Sequence, residues 1–239
     1  MTKKSSIQNM SYKEEILNTI EPNFIFSKNP INRFKIQNTI NTNKNIDKTA
    51  KIAELRKLIN SIQNCNLKDN SKNLILGDGN INSPIMIIGE APGSEEEKTN
   101  QTFQGESGTL MKKMLKAIDI QIKDVYSSYA INFRPPEDRK PTSLEIRRYS
   151  VFLKEHISII DPKIVILFGS TAMEAVTSSN ERISDERGKW KEIILKNKTY
   201  PLLTTFSPSY LLRFPENKKY SWEDLKKIKK KILDFKIKF

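Results

Sequence analysis

Two unbroken apolar runs constrain this chain most: Ile85-Met86-Ile87-Ile88 and Ile164-Val165-Ile166-Leu167-Phe168. A strand with one wetted face alternates apolar and polar residues, whereas a strand covered on both faces has no reason to. Each run stops at a glycine, Gly89 or Gly169, so both read as inner strands of a parallel sheet. Parallel strands need crossover connections, and the pattern between the runs supplies them. Leu110, Met111, Met114, Leu115 and Ile118 recur at helical spacing over Thr109 to Ile120. Val125 to Phe133 reads as a further strand, ended by Arg134-Pro135-Pro136, since proline cannot extend a ladder. Thr142 with Glu145 three positions on forms a capping box for a helix to Ile160.

The flanks follow the same logic. Ile52, Leu55, Leu58, Ile59 and Ile62 predict an amphipathic helix from Asp47 to about Ile62, and Leu74-Ile75-Leu76 predicts a short edge strand before Gly77. A helix is expected over Thr171 to Thr177. Two strands are expected at Lys191 to Lys196 and Tyr200 to Phe206, then a last helix from Ser221 to about Phe235. This alternation predicts an α/β fold, a three-layer αβα sandwich around a mainly parallel sheet. The predicted domain covers 46–239, preceded over 1–45 by a polar, Asn-rich, loosely ordered N-terminal extension.

The net charge of +13 over 239 residues points to a polyanionic partner, nucleic acid first. Lysine and asparagine are abundant throughout, so the charge permits such a partner without marking its surface. The lysines of the last helix, from Lys226 to Lys231, read as a solvated face. A single cysteine, Cys65, excludes an internal disulfide framework and fits a reducing, cytoplasmic setting. No run approaches the roughly 20 apolar residues of a membrane span. The first ten residues lack the apolar core of a secretory signal.

Ligands of open α/β sheets bind beyond the carboxyl ends of the strands, which here are the loops 89–108, 129–139, 169–171 and 206–214. The first is the richest: Glu90 follows the buried run, Pro92-Gly93 turns the chain, and Glu95, Glu96 and Glu97 precede Phe103, Gly105 and Gly108. Singly these features are bland. Gly-Glu-Ala-Pro-Gly can simply end a strand, Arg134-Pro135-Pro136 can be a stiff loop, and Ser207 or Ser209 can cap a helix whose leucines are core.

Together and in order, the motifs resemble the uracil-DNA glycosylase superfamily, most closely its family 4. The matching segments are Gly89 to Gly93, Glu96-Glu97, Thr102 to Gly105, Ser128 to Pro136, Arg187 to Trp190 and Ser207 to Arg213. The resemblance covers roughly 55 to 235. It implies hydrolysis of the N-glycosidic bond of uracil or a related damaged base in DNA, during base-excision repair. It also implies roles. Glu90, with Glu96 assisting, would hold the water and favour the sugar cation. Ala91 and Phe103 would receive the base. Leu211 would enter the vacated stack, with Arg134, Ser209 and Arg213 at the DNA backbone.

Three departures qualify this expectation. The family's uracil-reading Asn falls at Tyr129, and its His, which supports the departing base, falls at Ser207. The four cysteines of the family 4 iron–sulfur cluster fall at Ile62, Cys65, Phe133 and Tyr149, which together carry one thiol. No cofactor or metal is therefore expected, and those four side chains should meet as a compact plug. His156, the chain's one histidine, lies within the 142–160 helix and reads as a surface or core residue. A monomer acting on DNA is expected. Two other readings stay open: a DNA-binding descendant that has lost hydrolysis, and a small-molecule nucleotide hydrolase, which the absence of a Gly-Lys-Ser/Thr phosphate loop disfavours.

Overall fold

The computed structural model describes residues 48–238; the extension expected over 1–45 lies outside them. Helices α1 (Lys48–Asn60) and α2 (Asn66–Asn70) precede strands β1 (Gly77–Gly79) and β2 (Ile85–Gly89). Next come α3 (Ser94–Thr99), α4 (Gly105–Lys116), β3 (Tyr126–Tyr129), α5 (Ser143–Ile160), β4 (Ile164–Phe168) and α6 (Ser170–Thr177). The chain closes with α7 (Ile183–Glu186), β5 (Trp190–Leu195), β6 (Lys198–Thr205), α8 (Pro208–Arg213) and α9 (Lys218–Asp234).

The strands form one sheet in the order β1-β3-β2-β4-β6-β5. The inner four are parallel, and the two edges, β1 and β5, run antiparallel to their neighbours. Both unbroken apolar runs fall inside: every residue of β2 and of β4 is buried. Their side chains alternate between two cores. Met86, Ile88, Val165 and Leu167 face the helices α1, α5 and α6. Ile85, Ile87, Ile164, Ile166 and Phe168 face α4, α8 and α9. Complete burial of such a side chain is worth about 1.5–3 kcal/mol, so a register slip of β2 or β4 would gain nothing and break every contact. The three-layer αβα sandwich follows.

Several boundaries differ from the periodicity: α4 begins and ends four residues before the expected 109 and 120, and α9 starts at Lys218 rather than Ser221. The expected strand at Leu74–Leu76 lies just before the ladder, which β1 supplies instead. These residues are buried on alternate sides, with Ile75 in one core and Leu74 and Leu76 in the other. Strand β3 ends at Tyr129 rather than Phe133. Ala130 and Ile131 still donate to the Gly89 and Glu90 carbonyls at 2.9 and 3.2 Å, so the chain stays beside β2 before turning.

Helix α5 begins at its expected cap: Thr142 Oγ1 accepts from the Glu145 amide at 3.3 Å, and Glu145 Oε2 accepts from the Thr142 amide at 2.7 Å. Helix α9 is tied to the loop before β5 by an enclosed ion pair and to β6 by a hydrogen bond, both made by one carboxylate. Asp224, wholly buried, accepts from Arg187 Nε at 2.9 Å, from Arg187 Nη2 at 2.6 Å and from the Thr205 hydroxyl at 2.7 Å. The lysine face of α9 does more than meet solvent. Lys227 Nζ donates to the Gly188 carbonyl at 2.9 Å, Lys229 pairs with Asp119, and Lys231 lies over the rings of Trp190 and Phe235.

His156 is a core residue. Its Nε2 lies 2.9 Å from the Tyr126 hydroxyl and its ring meets that of Tyr126 edge-on. Burial, reinforced by the nearby charge of Arg56, pushes its pKa down to about 3. The unfolded chain takes up this proton near pH 6.5 while the folded chain does not, so stability falls as pH drops from 6.5 towards 3. The slope is about 1.4 kcal/mol per pH unit. Denaturant titrations should therefore show wild type losing about 2 kcal/mol more than His156→Gln between pH 7 and 5. Parallel pH profiles for the two proteins would contradict the assignment.

Candidate active site

The carboxyl ends of β2, β3, β4 and β6 open into a cleft of about 910 Å³. Its walls are the expected loops. Glu90, Ala91, Phe103, Tyr129, Ser207, Ser209 and Arg213 all line it.

Glu90 leaves β2 half-buried, where its direction is set by the turn from β4 into α6. Thr171 Oγ1 donates to Glu90 Oε1 at 3.1 Å. At Gly169, where φ is +99°, a Cβ would stand 2.7 Å from the Glu90 carboxyl carbon, so glycine alone leaves room for the carboxylate. The acid is thus held at the head of the sheet with one oxygen tied.

The floor is aromatic. Phe103 and Tyr129 pack with centroids 5.0 Å apart and planes inclined by 38°. Phe103 takes the left-handed conformation, φ +51°, which is costly for a side chain of this kind. Its neighbours hold it there. The Phe103 amide donates to the Tyr129 hydroxyl at 2.7 Å, which in turn donates to Glu96 Oε1 at 3.3 Å. Glu96 also accepts from the Gln104 amide at 3.0 Å and the Gly93 amide at 3.0 Å. Glu96 is therefore a clasp for the loop, buried beneath Phe103. Burial and the adjacent Glu96 raise the Tyr129 pKa well above that of a free phenol, so its hydroxyl keeps its proton.

Ser207 is buried at the start of α8. Its Oγ accepts from the Tyr210 amide at 3.3 Å and lies 3.1 Å from Ser209 Oγ. Pro208 occupies the first helical turn, where its missing N–H is not needed.

The structure does not gather every expected residue. Leu211 is 1% exposed and belongs to the core under α4 and α9; the leucine that reaches the cleft is Leu212, 38% exposed. Arg134 does not line the cleft. Its guanidinium holds Asp138 in a two-bond fork at 2.7 and 2.9 Å and reaches Glu97 at 3.2 Å, which stiffens the loop behind the site. Arg139 and Lys140 line the cleft without having been expected there. Both follow Arg134-Pro135-Pro136 in the same loop, and that proximity was their only signal. The acids come mainly from the segment after β2, joined by Asp138 from the loop after β3, and the cations from the loops after β3 and β6.

Of the four positions matched to the family's cluster cysteines, Cys65 and Phe133 both meet Tyr149, while Ile62 is only half-buried at the edge of the same core. Cys65, Phe133 and Tyr149 share one core, with Ile62 packed against it. Cys65 Sγ lies 3.2 Å from the Tyr149 hydroxyl, and the Phe133 and Tyr149 rings meet edge-on at 6.3 Å. One thiol among large side chains does not fit an iron–sulfur cluster, which needs four ligands. Among the described residues, no group of three or more His, Cys, Asp or Glu side chains is placed to hold a metal ion. No described helix is long and apolar enough to cross a membrane.

The chain is similar in sequence to known proteins. The model of the Uracil DNA glycosylase superfamily matches residues 76–228. A Type-4 uracil-DNA glycosylase of Thermotoga maritima is 36% identical over 168 residues, covering 69% of this chain and 86% of that protein. Proteins of the same description from Pyrobaculum aerophilum and Archaeoglobus fulgidus are each 29% identical, over 69% and 71% of this chain and 86% and 87% of their own lengths.

Proposed function

Since the chain belongs to the uracil-DNA glycosylase superfamily, we propose that it is a DNA glycosylase that hydrolyses the N-glycosidic bond of uracil or a related damaged base. The observation that carries this reading is the placement of Glu90. A carboxylate fixed by Thr171 and Gly169 shares one cleft with an aromatic floor, as base capture followed by hydrolysis requires.

The extruded base lies on Phe103, against Ala91. Water bonded to Glu90 attacks C1′ of the sugar as the bond to the base nitrogen breaks. Positive charge develops on the sugar, and the fixed carboxylate stabilises it without reorganising. The water's proton passes to Glu90, while the base leaves with the bonding electrons and takes a hydrogen bond from Ser207. Ser209 and Arg213 at the rim take flanking phosphates, and Leu212 enters the gap left in the stack. Glu96 and Arg134 act indirectly, by holding the loops. All these groups come from one chain, so a monomer suffices.

Two residues set the limits of the chemistry. Tyr129 presents a ring and a hydroxyl already engaged by Glu96, so it cannot read uracil as an amide would. Ser207 is a neutral donor that also caps its own helix. These favour a broad base preference and a modest rate. They also favour a second reading, in which the chain binds DNA without cleaving it. Uracil-containing single- and double-stranded oligonucleotides, treated with the protein and then alkali, separate the two. Strand scission supports the glycosylase, and binding without scission supports the second reading.

Restoring the family's residues gives a further check. Tyr129→Asn with Ser207→His should raise uracil excision about 10–100-fold, since a hydrogen bond to a charged group is worth about 1.5–3 kcal/mol. A folded double variant no faster than wild type would show that these positions do not play the roles assigned.

A further inference from the structure

Three aromatic rings leave the cleft in file. Phe206, which lines the cleft and is 6% exposed, stacks on Tyr210 with centroids 4.9 Å apart and planes inclined by 27°. Tyr210 in turn packs on Phe214, again at 4.9 Å but with planes inclined by 38°. Burial accounts for Phe206 and partly for Tyr210. It does not account for Phe214, which sits just past the end of α8 with 44% of its surface in water. Each face of an aromatic ring gains packing energy only where it is covered, and the outer ring of this file has one neighbour in it.

The surroundings of that ring carry an excess of positive charge. The segment 213–220 holds Arg213, Lys218 and Lys219 against the single acid Glu216. Among the described residues, the side chains of Arg213 and Lys218 make no hydrogen bond or ion pair. Arg213 lines the cleft and is the residue next to Phe214. An exposed aromatic face beside unpaired cations is the arrangement that takes unpaired nucleotides: the base stacks, and the phosphate meets the cation. A duplex offers no such base, because its faces are already covered by their neighbours.

We infer that Phe214 is a stacking platform for an unpaired base of the strand that enters the cleft, with Arg213 on an intervening phosphate. The ligand is single-stranded DNA flanking the extruded nucleotide. The inference rests on DNA being the substrate, but not on hydrolysis taking place. It makes the site longer than one nucleotide, and it makes the chain prefer single strands.

The test is fluorescence anisotropy in a Glu90→Gln background, so that bound DNA is not consumed. The probes are labelled oligonucleotides carrying one uracil, extended with thymidines on the 5′ side only, on the 3′ side only or on both, together with the matching duplex. Extension on one side should tighten binding. Phe214→Ala should remove that gain, about five- to hundredfold, and Phe214→Trp should keep it. Duplex affinity should change less than about twofold. Equal affinity of Phe214→Ala and its parent on every single strand would overturn the inference, as would an equal loss on duplex and single strand. If the Phe214-dependent gain is found but wild type cleaves no strand, the platform stands and the hydrolytic reading falls. If wild type excises uracil and Phe214→Ala binds like its parent, only the platform falls. Absence of all DNA binding removes both.

Discussion

Replacing Glu90 with glutamine is expected to slow base excision by roughly 10²–10³-fold, the usual cost of removing one fixed group that stabilises transition-state charge. The substitution keeps the size of the side chain and can keep the bond to Thr171, so the cleft retains its shape. It removes the negative charge facing the sugar and the acceptor for the water's proton. DNA affinity should change far less than the rate, because the carboxylate acts on charge that develops in the transition state and takes no phosphate in the proposed mechanism. Single-turnover excision measured beside anisotropy separates the two effects. Equal rates for wild type and variant would remove Glu90 from the chemistry and with it the proposed mechanism.

Removing Asp224 should do the largest damage to the fold. Asp224→Ala leaves Arg187 half-enclosed without its counter-charge and the Thr205 hydroxyl without its acceptor. Breaking a buried pair from one side costs about 3–5 kcal/mol, a large share of the roughly 5–15 kcal/mol that holds a domain together. The midpoint of urea unfolding should move accordingly, with little change in slope. A shift worth less than about 1 kcal/mol would mean that water replaces the carboxylate at no great cost. Activity should fall with stability. Thr205 ends β6, and the next residues are Phe206 and Ser207, so the lost anchor lies immediately before the loop that closes the cleft.

How much of this could be read in advance depended on which force fixed each part. β2 and β4 were legible because burial on both faces leaves an unbroken apolar signature. The start of α5 was legible because its cap is a local pairing of Thr142 with Glu145. β1 was not. Gly77-Asp78-Gly79 has no strand propensity, and it pairs because a glycine lets the Tyr126 ring approach. A Cβ at Gly77 would stand 2.6 Å from the Tyr126 hydroxyl, a contact invisible until β3 is in place. The loops of the cleft could be named from the ends of the strands. Which side chains face into it could not. Leu211 and Leu212 are equivalent in sequence, and α8 is too short for periodicity to say which one α4 and α9 cover. Arg134 is a free cation on paper and becomes a structural one once Asp138 and Glu97 fold around it.

The strained backbone at Phe103 has a kinetic consequence. A residue held at positive φ costs about 1–3 kcal/mol, and here the bonds among Glu96, Tyr129, Gly93 and Gln104 meet that cost before any ligand arrives. If Phe103 receives the base as proposed, that surface is complete in the free protein and capture needs no rearrangement on its side. The waiting time then belongs to the DNA: how often a base leaves its stack unaided. Weakly paired bases, and those in strands with no partner, would be found first, so the order in which lesions are met would reflect the looseness of the DNA before any recognition of the base itself.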